Sequence, residues 1–73
     1  MTLLTHNFGS QVKANRKALK LTQVQLASKA FISVSCVGEI ERATKSPSLD
    51  QVERISRALN VQPEQLLRYV YDK

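Results

Sequence analysis

The chain has 73 residues, of which 11 are basic and 6 acidic, giving a formal net charge of +5. This length predicts a single domain, residues 1–73, that buries little surface, so its stability is marginal or shared with a partner. A lone cysteine excludes an intramolecular disulfide, and no Cys/His cluster has zinc spacing. Neither a signal peptide nor an apolar run of roughly 18 residues is present. We therefore expect a cytoplasmic protein with no metal, no cofactor and no membrane partner.

The positive charge is concentrated in the first half of the chain. Residues 39–73 contain as many acids as bases, whereas residues 1–38 contain no acid, so the whole surplus of +5 lies in the first half. This asymmetry predicts an anionic partner, and the alternative is a solvated basic face with no partner. The bases of the first half are Lys13, Arg16, Lys17, Lys20 and Lys29.

The apolar periodicity predicts five helices and no strands, three of them in the first half of the chain. The first helix covers about residues 7–19. Thr22 is a good N-cap for the second helix, and Ser33 caps the third. The apolar positions that we expect to face the core in these helices are Phe8, Val12, Leu19, Leu26, Ala27, Ala30, Val37 and Ile40.

A loop and two further helices are predicted in the second half. The segment ATKSPS, residues 43–48, is typical of a loop. Ser48 and Gln51 have the spacing of a capping box at the start of the fourth helix, and Asn60 suits its left-handed end. Pro63 fits the first turn of the fifth helix, where its missing N–H costs nothing. The apolar positions of these helices are Leu49, Val52, Ile55, Leu59, Leu66, Leu67 and Val70.

Residues 21–42, LTQVQLASKAFISVSCVGEIER, predict a short helix, a tight turn and a second short helix. This is the layout of a helix-turn-helix, at about residues 22–42, whose second helix enters the DNA major groove. Thr22 and Gln23, at the N-terminus of its first helix, form a natural phosphate site because free N–H groups and the helix dipole favour an anion. The alternative is that Thr22 only caps the helix.

Several fragments in this order and spacing resemble the phage-repressor and Cro-like helix-turn-helix domains, often called the XRE family. The resemblance covers residues 8–67 and implies a compact all-α, five-helix, lambda-repressor-like domain that binds double-stranded DNA. The matching fragments are LTQ at residues 21–23, LA at 26–27, the pattern IxxIER at Val37, Ile40, Glu41 and Arg42, PSL at 47–49, and ISRALNV at 55–61.

The resemblance also implies roles for individual residues. Gln23 contacts a DNA phosphate, and Arg16 forms an ion pair with Glu41. The exposed face of the third helix contacts bases through Ser33, Val34, Ser35, Gly38 and Glu39. The loop and the start of the fourth helix contact the DNA backbone through Thr44, Lys45, Ser46 and Ser48.

The chemistry of the third helix agrees with contacts to base edges. Residues 34, 35, 38 and 39 lie away from the apolar stripe and therefore face outward. Ser35 can donate or accept, Val34 can pack on a thymine methyl group, and Glu39 can accept from cytosine N4. Arg42 is suited to a guanine or a phosphate. The alternative is that Glu39 and Arg42 form an ordinary surface pair.

Three residues depart from the family pattern. Asn15 occupies a position of the first helix where Leu is usual, so it needs hydrogen-bond partners if it is buried. Lys20 and Phe31 stand where the family often has Gly, and a left-handed backbone at Phe31 would be strained. We hypothesise that Phe31 is partly exposed beside the third helix. For Cys36 we favour small-residue packing over a redox function.

One helix-turn-helix buries little surface on DNA, so we expect a homodimer that contacts two half-sites about 34 Å apart on a near-palindromic operator. The alternative for Leu66 and Leu67 is that they only close the core of the monomer. The predicted dimerisation region, residues 60–71, offers the apolar residues Val61, Leu66, Leu67, Tyr69, Val70 and Tyr71.

No nucleophile–base pair and no Gly-rich phosphate loop is evident, so we expect neither an enzyme nor a small-molecule ligand. The expected function is that of a small autoregulatory transcription factor, such as the controller protein of a restriction–modification system or a Cro-like repressor. One alternative is an antitoxin that binds a toxin protein and its own operator. Another is an adaptor that uses the fold to bridge proteins without binding DNA.

Overall fold

The computed structural model describes residues 3–67, which form five helices and no strand. The predicted all-α architecture is therefore confirmed. None of these helices is long and apolar enough to cross a membrane. The first helix begins at Leu3, earlier than the predicted start at residue 7. The helices are α1 (Leu3–Ala18), α2 (Gln23–Ala30), α3 (Val34–Glu41), α4 (Leu49–Leu59) and α5 (Pro63–Leu66).

The helix starts are fixed by local side-chain caps. The Thr22 hydroxyl accepts a hydrogen bond from the Gln25 N–H at 3.0 Å, and the Gln25 side chain accepts one from the Thr22 N–H at 2.8 Å. Ser48 and Gln51 form the same reciprocal pair at 3.1 and 3.0 Å. Ser33 caps α3 through its hydroxyl. These three predicted caps are confirmed, and each stabilises its helix by about 1 kcal/mol.

The core lies where α1, α2 and α4 enclose α3 and α5. Helix α3 packs on α1 and α2, whereas α5 packs on α1 and α4. Burial of each large apolar side chain contributes about 1.5–3 kcal/mol, so this cluster supplies most of the stabilising free energy. Its fully buried large side chains are Phe8, Val12, Leu26, Val37, Ile40, Ile55 and Leu66.

The burial of three apolar residues differs from the burial predicted from the sequence. Leu19 is 50% exposed because α1 ends at Ala18 and the chain turns away at Lys20. Leu49 is 86% exposed because it is the first residue of α4, and burial begins at Val52. Leu66 was predicted to lie in a dimer interface, but it is fully buried in the core and cannot contribute to one. The alternative, that it closes the core, is correct.

Gly9 allows α1 to approach the backbone of α3 closely. A Cβ atom at this position would overlap the carbonyl oxygen of Ile40 and would lie 3.2 Å from that of Glu41. Any larger residue would therefore force α1 away from the end of α3. This contact fixes which edge of α1 adjoins the C-terminal end of α3.

Left-handed residues end four segments of the fold. Lys20, Phe31, Ala43 and Asn60 have φ values of 58–59°. Asn adopts this conformation readily, but a bulky residue pays about 1–2 kcal/mol for it. Phe31 is 81% exposed, which confirms that its ring lies outside the core. Its carbonyl oxygen accepts a hydrogen bond from Arg54 Nη1 at 3.0 Å, which holds the turn in place.

Asn15, which also departs from the family pattern, forms its hydrogen bond within α1. Asn15 is half-buried, and its Nδ2 atom donates a hydrogen bond to the Gln11 carbonyl oxygen at 2.8 Å. A polar group at this position is therefore satisfied within its own helix, one turn earlier.

We predict that Phe31→Gly increases the free energy of unfolding by about 0.5–1 kcal/mol. Glycine removes the left-handed penalty, and its greater freedom in the unfolded chain offsets part of the gain. Asn60→Gly is the control and should change stability less, since Asn already tolerates this conformation. Urea denaturation monitored by circular dichroism measures both. A less stable Phe31→Gly variant would mean that contacts of the ring outweigh the backbone strain.

Candidate nucleic-acid interface

The outward face of α3 forms one shallow depression together with the start of α2. The side chains around it are neutral and small at one end and charged at the other, with an arginine on the rim. Ser33 caps α3 and is not among the lining residues, and its predicted base contact remains a prediction. We call this surface the α3 depression, and its lining residues are Gln23, Val34, Ser35, Gly38, Glu39 and Arg42.

Arg42 depends on Gly38 for the direction of its side chain. A Cβ atom added at Gly38 would lie 2.9 Å from Nη1 of Arg42, so the guanidinium group lies directly over this glycine. Gly38 is consequently covered by Arg42, although it still lines the depression, and its predicted base contact remains a prediction. Its role in the structure is to make room for the arginine four residues later.

Arg42 is also free of acidic partners. Glu39, the predicted alternative partner, lies 3.8 Å from Lys45 Nζ instead. Among residues 3–67, no carboxylate lies within ion-pair distance of Arg42. The exposed guanidinium therefore keeps its five donors for an anion or a base edge.

A buried ion pair connects the α3 depression to α1. Arg16 Nε and Nη2 donate to the two carboxylate oxygens of Glu41 at 2.6 and 3.1 Å, and Nη1 donates to the Leu21 carbonyl oxygen at 2.8 Å. The hydrogen bond to Glu41 raises the pKa of Arg16 further above its ordinary value. This is the pair that the family resemblance implies.

Gln23 joins the same network from α2. Its Nε2 atom donates to Glu41 Oε1 at 3.0 Å, which turns one side of the amide toward the ion pair and leaves it lining the α3 depression. The first N–H groups of α2 have no partner within the helix, as at any helix start. A phosphate oxygen at this end would meet these donors and the positive end of the helix dipole.

The residues predicted to contact the DNA backbone from the loop also make internal contacts. The Thr44 hydroxyl donates to the Glu39 carbonyl oxygen at 3.2 Å, and the Ser46 hydroxyl lies 3.4 Å from that of Thr5. The Thr22 and Ser48 hydroxyls accept the cap hydrogen bonds and so retain a proton to donate. Their predicted phosphate contacts remain predictions.

Cys36 has the environment of a packed residue. It is half-buried, and its Sγ atom accepts a hydrogen bond from Gln51 Nε2 at 3.1 Å. Burial raises the pKa of the Cys36 thiol above its ordinary value, and the negative charge of Glu39 adds to the effect. The reactive thiolate is therefore disfavoured, in agreement with packing rather than redox chemistry.

The contact of Gln23 with Glu41 and that of Gly38 with Arg42 were missed because the sequence analysis considered each residue separately. Gln23 and Glu41 are 18 positions apart, and only the packing of α2 on α3 brings them together. The spacing of Gly38 and Arg42, one helical turn apart, is a signal that sequence could supply, because side chains at i and i+4 lie over one another.

With this geometry in place, comparisons with known proteins identify the family. The helix-turn-helix family model HTH_3 matches residues 12–66, so the chain belongs to the helix-turn-helix family. It is 50% identical over 54 residues to the immunity repressor protein of Bacillus phage phi105, a match that covers 74% of this chain and 38% of the repressor. It is 38% identical over 63 residues to control protein C.BamHI of Bacillus amyloliquefaciens, covering 85% of this chain and 78% of that protein.

Two solved structures share the fold. The restriction–modification controller protein C.AhdI from Aeromonas hydrophila superposes with a TM-score of 0.82 at 31% identity, covering 85% of this chain and 94% of that chain. The P22 c2 repressor, in complex with synthetic operator 9T, superposes with a TM-score of 0.79 at 30% identity, covering 84% and 92%. The resemblance to phage repressors and controller proteins is therefore confirmed.

We predict that Glu41→Gln lowers the free energy of unfolding by about 2–4 kcal/mol. The variant leaves the Arg16 charge buried without a counter-charge, although the amide oxygen can still accept one hydrogen bond. The control is Glu53→Gln, which breaks the exposed pair with Arg57 and should cost less than about 0.5 kcal/mol. Urea denaturation compares the two, and equal losses would contradict a structural role for the buried pair.

Proposed function

We propose that the protein is a sequence-specific, DNA-binding transcriptional regulator that acts as a homodimer on a near-palindromic operator. The observation that supports this most directly is the α3 depression, where an unpaired arginine, a serine and a valine share one exposed face. The family supports it as well, because a phage immunity repressor and a restriction–modification control protein are among the relatives.

The proposed contacts divide into base contacts and phosphate contacts. Arg42 donates two hydrogen bonds to O6 and N7 of a guanine, Ser35 contacts an adjacent base edge, and Val34 packs on a thymine methyl group. Gln23 and the N–H groups at the start of α2 bind a phosphate, which sets the depth of α3 in the groove. Glu39 accepts a hydrogen bond from the N4 amino group of a cytosine, and the Lys45 ammonium group, 3.8 Å from its carboxylate, offsets part of its repulsion of phosphates.

We propose an autoregulatory role, as the controller protein of a restriction–modification system or a Cro-like repressor, acting in the cytoplasm. The match that covers 78% of control protein C.BamHI and the superposition on C.AhdI support the first of these. The antitoxin alternative predicts stable binding to a toxin protein. A neighbouring gene for an endonuclease, a methyltransferase or a toxin would distinguish these systems.

The dimer surface that we propose is centred on Leu67. This half-buried residue lines an apolar groove with Leu4 and Leu49, which are both exposed. Val61 is half-buried and lines a separate depression with Asn60 and Pro63, and Tyr69, Val70 and Tyr71 lie outside the described residues. A second copy of the chain would cover the exposed leucines and supply the second half-site contact.

We predict that Arg42→Ala weakens binding to the preferred operator by about 1–3 kcal/mol for each half-site and relaxes the preference at one base pair. The operator is first obtained by selection from a random DNA pool, and affinity is then measured by fluorescence anisotropy. Gly38→Ala should relax the same base pair, since its Cβ would displace the guanidinium group. The control, Arg57→Ala, removes an exposed arginine already paired with Glu53 and should leave the preference unchanged.

Failure of the unmodified chain to enrich any DNA sequence would reject DNA-sequence recognition itself. An unchanged preference in Arg42→Ala would reject only the assignment of the α3 depression as the base-contacting surface.

We predict that Leu49→Glu, alone or with Leu67→Glu, shifts the protein from a dimer to a monomer. Sedimentation equilibrium at micromolar concentration measures the mass. Leu19→Glu is the control, because Leu19 is also an exposed leucine but does not line this groove. A monomeric mass for the unmodified protein, or an intact dimer in the double variant, would contradict the proposed interface.

A further inference from the structure

Cations in the described part of the chain fall into two groups. Arg16, Lys45, Arg54 and Arg57 each lie within ion-pair distance of a carboxylate. The remaining ones have no such partner among residues 3–67, and with the exception of Arg42 they all belong to the first half of the chain. These unpaired lysines are Lys13, Lys17, Lys20 and Lys29, all exposed.

Lys13 and Lys17 lie on a defined edge of α1. Gly9, one turn before Lys13, touches the backbone at the end of α3, and Arg16, one turn after Lys13, is paired with Glu41. Because side chains at i, i+3 and i+4 lie over one another, Lys13 lies between these two contacts along the helix. The edge of α1 that bears Lys13 and Lys17 therefore adjoins the C-terminal end of α3.

The same edge continues to the start of α2. The Lys20 N–H donates to the Lys17 carbonyl oxygen at 2.9 Å, and the Leu21 N–H donates to the Arg16 carbonyl oxygen at 3.0 Å. These bonds fold the turn back onto the last turn of α1 and lead directly into the Thr22 cap. Lys20 is thereby held between the end of α1 and the anion-favouring start of α2.

We propose that Lys13, Lys17 and Lys20 bind backbone phosphates of duplex DNA next to the base pairs that α3 contacts. This proposal rests on the proposed function, since it extends the same DNA-binding surface along α1. Like charges at this spacing repel one another, and a row of phosphates removes the repulsion while counterions leave the DNA. A flexible ammonium group is a point charge that suits phosphate oxygens and conveys no base preference.

The test is the salt dependence of binding to the selected operator. We expect Lys13→Gln and Lys17→Gln each to reduce the slope of log K against log salt concentration by about 0.9 for each protomer, with no change in the preferred sequence. The triple variant with Lys20→Gln should reduce it further. A duplex trimmed to the selected base pairs should lower the slope of the unmodified protein and leave that of the triple variant unchanged.

Lys29→Gln is the matched control. Lys29 is also exposed and has no carboxylate partner among residues 3–67, but it lies with Phe31 and Arg54 beside a separate depression near the end of α2. The slope of log K against log salt concentration for Lys29→Gln should equal that of the unmodified protein. The inference would be overturned if the slopes of all four variants equalled that of the unmodified protein, or if all four slopes fell by the same amount. Sequence-specific binding would remain intact in either case, because the selected sequence is measured independently. Circular dichroism confirms that each variant is folded.

Discussion

The buried contact between Arg16 and Glu41 is the constraint on which the rest of the structure depends. Its side chains are 11% and 3% exposed, so both charges have lost most of their hydration. Such a pair is favourable only where additional hydrogen bonds satisfy the remaining donors and acceptors. The Leu21 carbonyl oxygen and the Gln23 amide provide these bonds. Four segments, namely α1, the turn after it, α2 and α3, therefore meet at one ion pair.

The position of this network explains how so small a core can hold a binding surface. In the proposed DNA complex, the direction of α3 relative to α2 decides whether Gln23 and Arg42 contact one DNA segment, and apolar packing alone tolerates small rotations of a helix. The Glu41 carboxylate, at the end of α3, fixes both helices through directional bonds. If the proposed function is correct, stability and recognition share the same side chains, and we expect a change at Glu41 to alter the geometry of the α3 depression as well as the free energy of folding.

Sequence predicted the features that depend on neighbours along the chain. The Thr22 and Ser48 capping boxes and the left-handed Asn60 follow from local hydrogen bonding, and they were predicted correctly. Leu19 and Leu49 were placed wrongly because periodicity does not reveal where a helix ends, and a residue at a helix terminus leaves the apolar stripe. The contact of Gln23 with Glu41 depends on tertiary packing, which no spacing in the sequence indicates.

The distribution of unpaired charge among the helices is asymmetric. Helix α4 neutralises its own arginines through the exposed pairs of Asp50 with Arg54 and of Glu53 with Arg57. Helix α1 has no acid at all, and its lysines remain unpaired within the described residues. An asymmetric electrostatic field of this kind orients the protein as it approaches a polyanion, before any base is contacted. In the proposed DNA complex, phosphate contacts set affinity and register, whereas discrimination among sequences falls to the few donors of the α3 depression. With so few such donors, we expect the direction that Gly38 gives to Arg42 to have a large effect on the specificity of the proposed complex.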